Sequence, residues 1–175
     1  MEEKKNRLNK SELLKLAVFA ICVYIFLNFI IKIGYVPSES MQPTVNVGDF
    51  TVSNCLAYMK DTPQRGEIVI FKGEDGELLI KRVIGMPNDV ITFVDGYVVI
   101  NGMIAEEEYI DESIETNSSD TFVVPEGHYF VLGDNRESSY DSRFFEEPYI
   151  SEDRIVAQLL FVVRTSDFIK LFKDE

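Results

Sequence analysis

Hydrophobic and polar positions divide the chain near residue 33. The segment 13–33, LLKLAVFAICVYIFLNFIIKI, is apolar on every side of a helix, and its uncharged centre, residues 16–31, would be roughly 24 Å long as a helix. Lys15 and Lys32 can reach toward the lipid headgroups, which brings the usable length close to the ~30 Å hydrocarbon core of a bilayer. The pattern therefore predicts a transmembrane helix over 13–33.

Two other interpretations of this segment are a cleaved signal peptide and a buried core helix. A signal peptide would be followed by a small-x-small cleavage site, and the sequence IKIGYVPSES offers none. A core helix would show one apolar stripe rather than apolar residues all round. Five basic residues precede the uncharged centre and only Lys32 follows closely, so the positive-inside rule places residues 1–12 in the cytoplasm. We expect a single-pass protein of the cell membrane with residues 35–175 outside as an extracytoplasmic domain.

Beyond the anchor, short alternating runs rich in Val, Ile, Phe and Tyr replace the continuous apolar pattern. Asp95-Gly96 lies between two such runs, which is a strong signal for a hairpin turn with positive φ at both central residues. Asn101-Gly102 marks a second turn. No long amphipathic helix is evident, so the domain is predicted to be mainly β, with coiled antiparallel sheets or a partial barrel. The strand-like runs are DFTVSN, EIVIF, ELLIKRVIG, DVITFVDGYVVING, HYFVLGD and RIVAQLLFVV.

Net charge follows the same division of the chain. The formal net charge is −13, yet the first 32 residues contain six bases against three acids, and the remainder contains 11 bases against 27 acids. A domain this acidic repels phosphate backbones, so we do not expect nucleic acid as a partner. The polar, acidic stretch 105–120 is predicted to be a solvated loop.

Cysteine and histidine contents argue against metal or cofactor chemistry. Cys22 lies in the predicted anchor and Cys55 in the domain, so no disulfide is expected. One histidine and these two separated cysteines are too few ligands for zinc. Neither a calcium-loop spacing nor a glycine-rich phosphate loop is present. We therefore predict no metal and no cofactor.

Serine chemistry is the remaining candidate. The segment VPSESMQPTV, residues 36–45, follows the predicted anchor and holds two serines two residues apart. His128 is the only histidine, and at the start of a predicted strand it is more typical of a surface residue than of a base. A lysine can serve instead if burial lowers its pKa from about 10.4 to about 7–8, which corresponds to about 3–4 kcal/mol.

Lys81 is the only lysine of the domain that lies in the middle of a predicted strand. Strand periodicity places it on one face with Leu79 and Val83. The residues alone leave two interpretations open, a buried base or a lysine that extends to solvent from a half-exposed strand.

The stretch GDNRESSYDSR, residues 133–143, concentrates opposite charges and hydroxyl groups. It contains Asp134, Arg136, Asp141 and Arg143 together with three serines. One interpretation is a polar loop tied by its own turns and ion pairs. The other is a rigid wall that positions another group.

Five motifs in order resemble those of the bacterial type I signal peptidases. They are PSESMQPT at 37–44, GDF at 48–50, RGEIVIF at 65–71, KRVIGMPND at 81–89 and GDNRESSYDSR at 133–143. The resemblance implies a coiled β-sheet fold and a Ser–Lys protease that removes signal peptides from exported preproteins after a small-x-small site. The single predicted anchor is similar to that of the compact Gram-positive members. Preprotein signal peptides and the lipid bilayer are the implied partners, with the translocation machinery as a further candidate.

The resemblance also implies a role for each matching residue. Ser40 matches the nucleophile and Lys81 the general base. Ser38 matches a hydroxyl that forms the oxyanion hole with the Ser40 N–H. The supporting residues are Ser139, which orients the lysine; Asp141, which ion-pairs with Arg143 or Arg82; Asp134, in the same stretch; and Met41, at the floor of the site.

Two positions depart from the family pattern. Asn88 stands where the family has glycine, and because Asn tolerates the left-handed region, the turn before Asp89 should be kept. The glycine usually found soon after the last motif is absent beyond Arg143.

Two other functions are compatible with parts of the sequence. A non-catalytic, membrane-tethered β domain that binds a surface partner would retain the strands and the anchor, but it would not require Lys81 between apolar neighbours. A self-cleaving Ser–Lys protease of the repressor type is opposed by the anchor and by the absence of a DNA-binding segment.

Overall fold

The computed structural model describes residues 9–25, 29–111 and 113–165. Within these ranges there are one α-helix, α1, and eleven strands, with two short 3-10 helices at Ala57–Met59 and Glu152–Arg154. The bounds are α1 Lys10–Ile25, β1 Ile31–Tyr35, β2 Phe50–Asn54, β3 Ile68–Lys72, β4 Leu78–Gly85, β5 Val90–Val94, β6 Tyr97–Ile100, β7 Met103–Ile104, β8 Phe122–Val123, β9 His128–Leu132, β10 Ile150–Ser151 and β11 Ile155–Val163.

Two antiparallel sheets make up the domain. The seven-stranded sheet has the order β1-β2-β11-β3-β4-β9-β10 and curls into a half-barrel, and the four-stranded sheet has the order β7-β6-β5-β8. The mainly β fold with a coiled sheet is therefore confirmed. Every alternating run predicted to be a strand is one, whereas β7, β8 and β10 have two residues each and are too short to show alternation.

The predicted hairpin turns have the expected backbone. Asp95 and Gly96 have φ of 49° and 82°, and Asn101 and Gly102 have φ of 53° and 82°. Each pair joins neighbouring strands of the small sheet, with Val94 opposite Tyr97 and Ile100 opposite Met103. Asn88 also has a positive φ, 72°, so the turn before Asp89 survives without the family's glycine.

Two apolar clusters form most of the core. The first joins the small sheet to β4 and β9 through eight buried residues, which are Ile84, Ile91, Val98, Ile100, Phe122, Val124, Phe130 and Leu132. The second packs β3 against β4 and β9 through Val69, Phe71, Val83, Tyr129, Val131 and Ile150. Both clusters contain residues of β4 and β9, so these two strands occupy the centre of the fold.

The N-terminal segment differs from the predicted helix over 13–33. The α-helix ends at Ile25, residues 26–28 lie outside the described part, and Ile31–Ile33 belong to β1, paired with Val52–Asn54 of β2. Pairing with β2 supplies the backbone hydrogen bonds of this β-branched stretch, so an extended conformation replaces the helix there. Among the described helices, none combines the length and the apolar character that crossing a membrane requires.

The acidic stretch 105–120 is more than a solvated loop, and that prediction is wrong for part of it. Thr116 is 1% exposed, Tyr109 packs against the first apolar cluster, and Glu107 forms an ion pair with buried Arg136. Its other acidic residues do conform to the prediction, since Glu106, Glu108 and Asp111 are exposed. Residue 112 lies outside the described part.

Candidate active site

Ser40 and Lys81 meet although 41 residues separate them in the chain. The Lys81 Nζ donates to the Ser40 Oγ over 2.6 Å. Ser40 lies in the loop between β1 and β2, which is closed by hydrogen bonds from Val36 N to Asp49 O and from Gly48 N to Val36 O. Lys81 lies in the middle of β4, opposite Val69 of β3. Lys81 is thus positioned by the sheet, and Ser40 is positioned by a short loop closed by backbone hydrogen bonds.

Lys81 is buried without a carboxylate partner. It is 3% exposed, and within the described part of the chain no carboxylate is in ion-pair contact with its Nζ. Burial lowers the pKa of Lys81 from 10.5 to about 8, against a raising effect of Asp141 and Asp134. Of the two interpretations left open by the sequence, the buried lysine is the one observed.

Ser38 and Met41, which precede and follow Ser40 in the chain, differ in exposure. The Ser38 Oγ lies 3.4 Å from the Ser40 Oγ, and Ser38 is exposed. Met41 is fully buried and packs with Val36, Val45 and Ile68. The loop therefore turns one serine outward and anchors itself in the core through its methionine.

Arg82 lies next to Lys81 in β4 and has a full set of partners. Its Nε donates to Asp134 Oδ1 over 2.8 Å and its Nη2 to Asp134 Oδ2 over 2.6 Å. Its Nη1 donates to Gly66 O over 2.7 Å, and its guanidinium lies 3.8 Å from the ring centroid of Tyr109. Thr44 Oγ1 also donates to Asp134, at 2.5 Å, which ties the Ser40 loop to this ion pair.

The predicted ion pair of Asp141 forms with Arg143. Arg143 Nε donates to Asp141 Oδ1 over 2.9 Å, and Gly133 N donates to Asp141 Oδ2 over 3.0 Å. Arg143 Nη2 also donates to Arg136 O over 2.8 Å. The stretch 133–143 therefore folds back on itself through buried charges, and the absence of the family's glycine after Arg143 does not prevent this pairing.

Ser139 is buried beside the Ser40 loop, but its predicted hydrogen bond to Lys81 is not formed. It is 6% exposed, and its Oγ has no hydrogen-bond partner among the described residues. Gly133 separates Ser139 from Ser40, since a Cβ at Gly133 would collide with Ser139 Oγ and with the Ser40 carbonyl oxygen. Only glycine allows the three segments to pack this closely.

A cleft of about 300 Å³ opens beside the Ser40–Lys81 pair. Both residues line it, together with Tyr35 and Val36 at the end of β1 and Ile70 and Ile80 of β3 and β4. Because strands lie on both sides, the cleft has the shape to accept an extended peptide.

His128 does not belong to this site. It lies at the start of β9, five residues before Gly133, which is about 16 Å along an extended strand. Its Nδ1 is 2.9 Å from Glu126 O. Cys22 and Cys55 are both free.

Sequence reasoning missed the contacts that hold Arg136. Its guanidinium binds Glu107 and Thr116, both from the loop predicted to be solvated. The only signal was an arginine inside a stretch already crowded with charge, and no local pattern indicates a partner 29 residues away.

Comparison with known proteins agrees with the fold and the motifs. The family described as "Signal peptidase, peptidase S26" matches residues 10–164. The chain is 32% identical to signal peptidase IB of Staphylococcus aureus over 173 residues, covering 87% of this chain and 90% of that protein. It is 36% identical to the probable signal peptidase I-2 of Synechocystis over 124 residues, which is 67% of this chain but only 56% of that longer protein.

A solved structure supports the same relationship. The crystal structure of a signal peptidase I from Enterococcus faecalis is 30% identical, with a TM-score of 0.50, and the alignment covers 57% of this chain and 98% of that chain. The chain therefore belongs to the signal peptidase family, peptidase S26, and is a serine endopeptidase that processes signal peptides.

Proposed function

We propose that this enzyme cleaves preproteins with a catalytic dyad formed by Ser40 and Lys81. Neutral Lys81 accepts the proton of Ser40 as Oγ attacks the scissile carbonyl carbon. The Ser40 N–H and the Ser38 hydroxyl donate to the developing oxyanion, where one such donor is worth about 10²–10³ in rate. Lys81 then protonates the leaving amine, and water hydrolyses the acyl-enzyme with Lys81 again as base.

One observation carries this proposal. The Lys81 Nζ lies 2.6 Å from the Ser40 Oγ, and burial lowers the pKa of Lys81 to about 8. An appreciable fraction of the amine is then neutral near neutral pH, and it is already within hydrogen-bond distance of the proton it must accept. Six further residues are proposed to support the dyad by fixing the segments around it; they are Ser139, Asp141, Arg143, Arg82, Asp134 and Met41.

The substrate is proposed to be the signal peptide of an exported preprotein, bound as an added strand in the cleft beside Ser40. The family resemblance favours small side chains at the first and third positions before the cut. Residues of β1 and β4 both line the cleft, which suits recognition of an extended chain.

Type I signal peptidases are membrane-associated in general. We propose that the membrane anchor predicted over 13–33 is confined to the part that precedes β1, with residues 1–12 in the cytoplasm and a catalytic domain over 35–175 outside. Residues 1–8, 26–28 and 166–175 lie outside the described part. The apolar side chains of α1 support this arrangement because they are exposed, Leu14 and Phe19 each at 66%. Anchoring enzyme and substrate in one bilayer raises their effective concentration, and the translocation machinery is the neighbour we propose there.

Replacement of the two dyad residues tests this function. Ser40→Ala and Lys81→Ala are each expected to lower preprotein cleavage by the full-length enzyme in detergent by at least about 10³-fold, because the dyad acts as a unit. His128→Ala is the control and should retain activity. Full activity of either dyad variant would exclude the mechanism, and inactivity of His128→Ala beside an active Lys81→Ala would indicate a histidine base.

A further inference from the structure

The stretch 105–116 is fastened to the hairpin turn of the small sheet on one side and to the active-site stretch on the other. Thr116 N donates to Gly96 O over 2.7 Å, and Gly96 packs so closely on Glu115 that a Cβ would lie 2.9 Å from the Glu115 Cγ. On the other side, Glu107 and Thr116 both bind Arg136. This acidic segment therefore links the β5–β6 turn to residues 133–136.

Arg136 depends on Glu107 for its charge balance. The side chain of Arg136 is fully buried, and that of Glu107 is 11% exposed. Both terminal nitrogens of Arg136 donate to the Glu107 carboxylate, over 2.9 Å and 2.5 Å, and Tyr109 OH donates to the same carboxylate over 2.5 Å. Removing one member of such a pair leaves a buried charge uncompensated.

Arg136 in turn fixes the turn that faces Ser40. Its Nε donates to Gly133 O over 3.0 Å, which closes residues 133–136 into a compact unit. Within that unit, Asn135 N donates to Ser40 O over 3.1 Å, and Asn135 Nδ2 donates to Glu39 O over 3.2 Å. Asn135 thus binds the peptide units on both sides of the nucleophile.

The contact with Glu39 bears on the chemistry of Ser40. The Glu39 carbonyl and the Ser40 N–H belong to one planar trans peptide unit, so they point in opposite directions and move together. Holding the Glu39 oxygen therefore sets the direction of the Ser40 N–H, which is the backbone donor of the oxyanion hole under the proposed function. The chain of contacts from Glu107 ends at this donor.

We propose that Glu107 is a positioning residue for peptide hydrolysis, acting through Arg136 and Asn135 on the peptide units that flank Ser40. The proposal rests on the proposed function of Ser40 as nucleophile. Glu107 lies away from the substrate cleft, so its loss should weaken stabilisation of the transition state and leave substrate binding in place.

Glu107→Gln is the direct test, because glutamine preserves the shape but brings an amide donor against the donors of Arg136. The full-length enzyme in detergent is assayed on a preprotein at a temperature where thermal unfolding shows each variant to be folded. We expect kcat to fall about tenfold or more, with KM within about twofold of wild type. A retained kcat, or a loss confined to KM, would overturn the proposal.

Matched controls are available in the same stretch. Glu106→Gln and Glu108→Gln make the same change of charge at exposed neighbours and should leave kcat and KM unchanged. If they lower kcat as much as Glu107→Gln does, the effect is one of net charge and the proposal fails.

A double-mutant cycle with Arg136→Lys tests whether Glu107 acts through Arg136. If Glu107 acts through Arg136, Glu107→Gln should add little to the loss of kcat caused by Arg136→Lys, whereas additive losses would contradict this route. Failure of the proposed function has a different signature, since the wild-type enzyme itself would then not cleave, or would cleave without Ser40.

Discussion

Two neighbouring cations of β4 are buried on opposite faces of the strand and have opposite surroundings. Arg82 is 8% exposed and makes two hydrogen bonds to Asp134, one to a backbone carbonyl and a contact with the face of an aromatic ring. Lys81 is 3% exposed, and its hydrogen bond goes to the neutral hydroxyl of Ser40. Adjacent positions of one strand thus hold a paired charge and an unpaired amine.

The difference separates a structural cation from a reactive one. A buried cation whose hydrogen bonds end on a carboxylate is held in its charged form, and its contribution is to connect segments. A buried amine without such a partner is pushed toward its neutral form, because desolvation penalises the charge. Protonated Lys81, which cannot act as a base, therefore destabilises the folded state. Arg82 instead helps to hold the loop that contains Ser40.

Arg82→Ala gives the largest expected change in stability. It leaves the carboxylate of Asp134, which is fully buried, without its charge partner, and loss of one member of a buried pair costs about 3–5 kcal/mol. Urea unfolding should show this loss, while Arg164→Ala, an exposed arginine next to the end of β11, should change stability by less than about 0.5 kcal/mol. Equal effects of the two substitutions would remove the structural role given to Arg82.

Lys81→Met is expected to act in the opposite direction. The pKa of Lys81 is about 8 in the folded chain against an ordinary lysine value of 10.5, so keeping the lysine protonated below pH 8 destabilises the folded state. Methionine removes that penalty, and the free energy of unfolding should rise by about 1–3 kcal/mol at pH 7.

The pH dependence supplies the sign of this prediction. Between pH 8 and 10.5 the unfolded chain binds the proton more tightly, so wild-type stability rises with pH relative to Lys81→Met, and the advantage of methionine disappears above the upper value. Urea unfolding of both proteins at several pH values measures the difference in their free energies of unfolding. A constant difference across this range would contradict the lowered pKa, and Lys72→Met at an exposed position serves as the control.

Ser139→Ala has the smallest expected effect on stability, yet it should lower activity. The Ser139 Oγ has no partner among the described residues, so its removal should change the free energy of unfolding by no more than about 1 kcal/mol. If Ser139 orients Lys81 in the reaction, kcat falls nonetheless. Ser142→Ala is the matched serine, since Val131 N donates to its Oγ over 2.9 Å, and it should cost about 1–3 kcal/mol. Unchanged kcat in Ser139→Ala would remove the role assigned to that serine.

The sequence predicted the strands because their alternating pattern is local, and it singled out Lys81 because a charge inside an apolar strand is also a local feature. It left the partner of Asp141 open between Arg143 and Arg82, since that choice depends on how β4 and the 133–143 stretch come together. In the structure Asp141 pairs with Arg143, and Arg82 pairs with Asp134 instead.

Local sequence patterns do not predict the contacts of the acidic stretch 105–120. Glu106, Glu107 and Glu108 are identical in the sequence, but only Glu107 meets a buried arginine. The extent of the N-terminal helix was also mispredicted, because the same isoleucines suit a helix in lipid and a strand beside β2.

Direct titration of Lys81 tests whether burial makes its amine available as a base. The full-length enzyme in detergent micelles, with isotope-labelled lysine, is followed by NMR across pH 6 to 12, and the Lys81 resonance is assigned by its absence from Lys81→Met. We predict a titration midpoint of about 8 for Lys81. A midpoint at the ordinary lysine value of about 10.4 would contradict it.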